Sequence, residues 1–306
     1  MKLSNEMRQL ACGGSCGRQL GPSEKSRQWP AATFYGRRPE RNVATAALTT
    51  DVAAALTSAS QQDYRAAPQA LAAVPELQEL AACDDTDLLH LFFLVFCSQG
   101  VGMTEKVEMW IRRAGQECLA LANAGSDVEM LQELGNSLVE GALEEAGHDR
   151  WFRNDVTKLS ASWNAKHPGS PMSADALLTS PYFQSVHDYD ELHDRYIASK
   201  QPYAQVAIQS AIEQLSLVLG APMIARVRAL LGDAFLPQLT FLHHHVVLDV
   251  THAAESAELR DKFVEANPRL EPQFAEATFG VLDVYGRFLG ECWNKAKKMR
   301  AALVLE

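Results

Sequence analysis

The sequence predicts an all-α bundle of about seven to ten helices in a single domain, preceded by an irregular N-terminal arm. Three observations carry this. From about Thr50 onward apolar residues recur at helical spacing. No stretch shows the period-two alternation of a strand, and Gly, Pro and capping residues punctuate the segments at helix length.

Taken in order, residues 1–48 hold Gly13, Gly14, Pro22, Pro30, Gly36 and Pro39 among many Arg, Ser and Gln, with no sustained apolar period, and read as the arm. The helical domain is residues 49–306. Helices are expected over 51–65 and 68–83, then over the very apolar TDLLHLFFLVFCSQG, ending at Gly100. Thr104 is placed to cap a helix with the stripe Val107, Ile111, Ala114, Cys118 and Leu121. Ser126 and Glu129 form a capping-box pattern opening a long helix that runs well past Trp151, so that Glu145 and His148 share a face. Pro168, Gly169 and Pro171 break the chain, and a short helix follows Ser173 ahead of a stretch that is polar on most faces. A buried helix then carries Val206, Ile208, Ala211, Ile212, Leu215 and Leu219, with Gly220 as its stop. Helices over Met223–Leu231 and 236–256 come next, and a final one of about 30 residues ends near Leu303.

Composition bounds the function. A chain of 306 residues, 47% apolar and 22% charged, buries a proper core. Its net charge of -10 and pI near 5.4 disfavour nucleic acid and anionic membranes as partners. The longest apolar run, Leu88 to Cys97, is too short to cross a bilayer and reads as a core helix, so no transmembrane segment is expected. No apolar signal region opens the chain, and a cytoplasmic protein with reduced thiols is expected. The remaining partner is a small-molecule substrate, with a homodimer left open.

The most informative stretch is FLHHHVVLDVTHAAE, residues 241–255, with the pattern His245-x3-Asp249-x2-His252. On a helix these three fall within an arc of about 60°, so two imidazoles and a carboxylate are offered to one ion. Glu108, Glu145, His148 and Glu213 lie on other predicted helices, Glu213 between Ile212 and Leu215 on an apolar one, where an unpaired carboxylate would be costly. Together these are three imidazoles and four carboxylates, enough to balance two divalent ions, and a thiolate-poor set of this kind suits iron or manganese better than zinc. Each residue also has a plain structural reading, as a solvated helix acid or a hydrogen-bonded core histidine.

The His245/Asp249/His252 pattern, Glu213 at 32 residues before it, the EEAGH segment at 144–148, SQGVGMTEKVEMWI and FLHHHVVLDVTHA resemble the haem-oxygenase-like di-metal oxidases and oxygenases, in particular bacterial iron-containing redox enzymes. The resemblance covers roughly residues 85–260. It implies a haem-oxygenase-like bundle holding two irons per chain, with O2 as co-substrate and the need for an external electron donor left open. It implies Glu108, Glu145, His148, Glu213, His245, Asp249 and His252 as metal ligands, with no catalytic residue beyond them. The early glutamates vary in such proteins, so Glu105 competes with Glu108, and Glu140 or Glu144 with Glu145. The implied reaction is oxidation of a small organic substrate, by N-oxygenation, desaturation or C–C cleavage, in secondary metabolism. Rival readings are a metal-free enzyme of this fold, of thiaminase or quinone-cofactor-synthesis type, a haem degrader, and a non-catalytic metal-binding protein.

Overall fold

A computed structural model describes residues 63–304, without the side chains of residues 247–250 and 304. The expected arm, residues 1–48, and most of the expected 51–65 helix lie outside the described residues. Among the described residues eleven α-helices are present: α1 Ala67–Ala72, α2 Pro75–Ala82, α3 Thr86–Thr104, α4 Val107–Asn123, α5 Leu131–Glu144, α6 His148–Lys166, α7 Ala174–Leu178, α8 Gln184–Ala198, α9 Gln205–Leu231, α10 Thr240–Ala266 and α11 Glu271–Val304. No strand occurs among the described residues, so the all-α expectation holds.

The most apolar stretch of the sequence becomes the axis of the molecule. Asp85 opens α3 by accepting the backbone N–H groups of Asp87 (2.9 Å) and Leu88 (3.0 Å), and every residue from Leu89 to Met103 is buried. A helix apolar on all sides needs neighbours on all sides. Here α3 packs against α6 and α11, while α9 pairs with α10 and α4 with α5. Among the described residues two stretches, Thr86–Asn123 and Pro202–Leu231, have the length and apolarity of a membrane span; 83% of the apolar window is buried in the first and 22% in the second.

Several expected boundaries move, each for a packing reason. Gly100 does not end α3. A Cβ there would overlap the Phe152 ring, so this glycine admits α6 rather than stopping the helix. Thr104 therefore belongs to α3, with its hydroxyl donating to the Gly100 carbonyl at 2.9 Å, and it caps nothing. The capping box of Ser126 and Glu129 does not form: the Ser126 hydroxyl accepts Val128 N–H, Glu129 N–H is held by Asn267 Oδ1 at 2.9 Å, and α5 starts only after Met130, at φ 62°. The long helix past Trp151 is broken at residues 145–147, where Gly147 at φ 88° turns the chain from α5 into α6. Conversely α9 runs straight through Gly220 and Pro222, merging two expected helices. A Cβ on Gly220 would overlap Val246, so the glycine lets α9 lie against α10 one residue past His245. Ser173 does cap α7, accepting Ala176 N–H at 3.2 Å. The polar stretch before residue 200 becomes α8, which buries Val186, Tyr189, Leu192, His193 and Tyr196. Of the cysteines, Cys83, Cys97, Cys118 and Cys292 are free and buried.

Candidate metal centre

The turn between α5 and α6 builds the first half of the site. Glu145 leaves α5 as its C-cap, Ala146 and Gly147 reverse the chain, and His148 opens α6, its N–H reaching back to the Glu145 carbonyl at 3.4 Å. The reversal brings the Glu145 carboxylate to 2.6 Å from His148 Nδ1. The two do meet, across a turn rather than along one helix face.

The second half comes from α10. Asp155 of α6 accepts the N–H of Phe241 at 2.9 Å and so ties the start of α10 to α6. The Phe241 ring stacks on Phe152 with centroids 3.8 Å apart and leans on His245 at 4.2 Å. His245 Nε2 then stands 3.2 Å from His148 Nδ1, and Trp151 covers the outer face of the His148 ring at 4.5 Å. One donor atom each from Glu145, His148 and His245 lie within 4.8 Å of one another.

This donor set fits a cation. His148 Nδ1 carries either one hydrogen or one lone pair, so it cannot satisfy both the Glu145 oxygen and the His245 nitrogen that face it. An ion between the three accepts all their lone pairs at once. Burial pushes the Glu145 carboxyl up, yet the His148 hydrogen bond and the charges of His148, His245 and His252 outweigh it and hold it below the usual carboxylate range. Glu145 is thus an anion facing imidazoles.

The other predicted residues are placed unevenly. Glu213 lines a cavity of about 60 Å³ together with Glu145 and His245, and its carboxylate accepts the hydroxyl of Ser256 from α10. His252 lines a second cavity, of about 300 Å³, with Glu145 and Glu213, and its Nε2 is 3.2 Å from Glu144, whose side chain is 63% exposed. Asp249 lies on α10 between the two histidines, its side chain outside the described residues. Glu108 is not brought to the group: its carboxylate pairs with Arg112 one turn along α4. Its competitor Glu105 is exposed and 3.7 Å from Arg153, and Glu140 is exposed on α5.

Sequence reasoning missed Asp155, Gln209 and Ser256. Asp155 had a signal, an acid standing in the core phase of Phe152, Val156, Leu159 and Trp163. Gln209, which lines both cavities, and Ser256 had none.

Residues 113–286, more than half of the sequence, match the family of iron-containing redox enzymes. The chain belongs to that family. Membership of the iron-containing redox enzymes makes it an oxidoreductase, and the match runs from α4 into the first half of α11. A domain of unknown function with a haem-oxygenase-like fold from Shewanella denitrificans superposes with a TM-score of 0.54 at 14% identity, covering 83% of this chain and 94% of the other. The fold is therefore haem-oxygenase-like. No curated protein matches the sequence.

Proposed function

We propose that this protein is an O2-activating non-haem diiron oxidase or oxygenase acting on a small organic substrate. The observation that carries the reading is the convergence of Glu145, His148 and His245 from three helix segments, with His148 buried and the other two half-buried, in a chain of the iron-containing redox enzymes. Glu145, His148 and His245 would hold one ion, and Glu213, His252 and Asp249 would hold the other, with Glu145 and Glu213 lining both cavities between the two sets. Iron held by these residues would supply redox chemistry toward O2, with electrons from an external donor.

The chain's own residues prepare the site. Trp151 and Phe241 pack against the imidazoles, and Phe152 stacks behind Phe241, which lowers the polarity on that side of the site and strengthens the charge interactions there. Ser256 and Asp155 hold Glu213 and α10 in place. The same reading takes the protein as cytoplasmic, working on a small molecule without nucleic-acid or membrane partners.

The test is anaerobic Fe(II) loading of the purified chain, elemental analysis, then exposure to O2. Two irons per chain and iron-dependent O2 consumption are expected. No stable iron would favour a metal-free enzyme of this fold, and a single zinc resistant to replacement would also overturn the reading. Iron uptake without O2 consumption would mark a store or sensor.

A further inference from the structure

The small cavity beside the Glu145–His148–His245 group extends to His193 of α8 and Gln205 of α9, which are only 1% and 2% exposed. His193 Nδ1 meets Gln205 Oε1 at 2.9 Å. An amide oxygen only accepts, so Nδ1 carries the hydrogen and Nε2 is left with a lone pair. His193 Nε2 and Gln205 Nε2 both lack a hydrogen-bond partner. Turning the amide over exchanges their roles but still leaves one donor and one acceptor. The imidazole stays neutral, because burial depresses its pKa to about 4. Its orientation is fixed by Trp110, stacked on it at 4.5 Å and 1°, and by the edge of Tyr189 at 4.6 Å. Two buried polar groups left unsatisfied within the protein cost on the order of 1–3 kcal/mol each, which an entering molecule with a complementary donor and acceptor would recover.

On the other side of His245 lies a larger cavity, of about 190 Å³, walled by side chains such as Phe92, Phe96, Leu219 and Met223. Ile212, Phe241, His245 and Tyr285 line both cavities. Among the described residues no Lys or Arg lines either one, so a free carboxylate has no counter-ion here, and the acids of the small cavity, Glu145 and Glu213, already face His148 and Ser256 rather than a free ammonium group.

We propose that the substrate is an elongated, mainly apolar molecule with a neutral end group offering one donor and one acceptor, a hydroxyl or a primary carboxamide. His193 and Gln205 hold that end, and the chain passes His245 into the larger cavity. This inference rests on reading the Glu145–His148–His245 group as the reacting centre, but its test does not need iron.

Calorimetric titration of the metal-free, full-length protein with octanamide, 1-octanol, octanoate, octylammonium and heptyl methyl ether provides it. Octanamide and 1-octanol should bind about tenfold more tightly than the two ions and the ether. Gln205→Met, which keeps the length but loses the amide, should weaken octanamide about tenfold while ether binding stays within about twofold, which also reports an intact cavity. Equal affinities for all five probes, or an octanamide affinity unmoved by the substitution, overturn the proposal. A reading free of any variant comes from nitrogen NMR: octanamide should shift the His193 Nε2 signal, and an unmoved signal at saturation counts against the anchor. A protein that shows the octanamide preference yet takes up no iron supports the anchor and refutes the diiron reading, so the two fail separately.

Discussion

Asp155, in the middle of α6, accepts the backbone N–H of Phe241, the second residue of α10, at 2.9 Å in the fully buried core. One carboxylate thereby ties the helix that begins with His148 to the helix that carries His245. Burial raises its carboxyl above the usual range in spite of the donors from Phe241 and Thr240. Asp155→Ala strands those donors, and we expect a loss of about 1–2 kcal/mol in denaturant unfolding and roughly tenfold weaker iron binding. Asp155→Asn, which keeps a carbonyl acceptor, should recover most of both. Equal iron affinity in all three proteins would show that α10 is held by packing alone.

Gly147 is the turn that folds Glu145 back onto His148. An added Cβ has room, since its nearest neighbour is the Arg150 side chain at 3.8 Å, so the effect of Gly147→Ala is confined to the backbone at φ 88°. That conformation costs an alanine about 1–2 kcal/mol. The alanine protein should unfold more easily by this amount and bind iron more weakly, with Gly147→Asn intermediate, because asparagine tolerates positive φ. Indistinguishable midpoints for the three chains would show that the turn bears no strain.

Glu213 separates a ligand from a mere buried acid. Glu213→Gln keeps the volume and an acceptor for Ser256, so stability should change by less than about 1 kcal/mol. Removing the charge should lower the iron content of the reconstituted protein and its O2 consumption. Unchanged iron stoichiometry in that variant would take Glu213 out of the site and weaken the case for a second ion.

Acid sensitivity of the metal-free fold should come in part from His90. Its ring is 4% exposed and Nε2 meets the Leu159 carbonyl at 3.0 Å; burial lowers its pKa from 6.5 to about 4. The unfolded chain therefore binds a proton below pH 6.5 that the folded chain refuses until about pH 4. Its stabilisation is complete above that window and is lost as pH falls through it, amounting to about 1.5 kcal/mol between pH 6.5 and 5. His90→Gln should flatten the dependence of unfolding free energy on pH by about that much over the interval. A parallel profile would mean that His90 titrates normally.

The sequence by itself determined the helical class, because a period near 3.6 belongs to each segment separately and needs no neighbour to be read. It also set the shared arc of His245, Asp249 and His252, a matter of angle about one axis. Convergence is different in kind. His148 and His245 are 97 positions apart in the chain, and their meeting depends on where one helix breaks and how another is anchored. Those were decided by the Gly147 turn, the Asp155 cap and the close approach at Gly220. Tertiary structure also gave Glu108 to Arg112 and left His193 and Gln205 facing a cavity with one donor and one acceptor to spare. Periodicity fixes which face a residue occupies, whereas the partner across that face is chosen by the packing of the whole bundle.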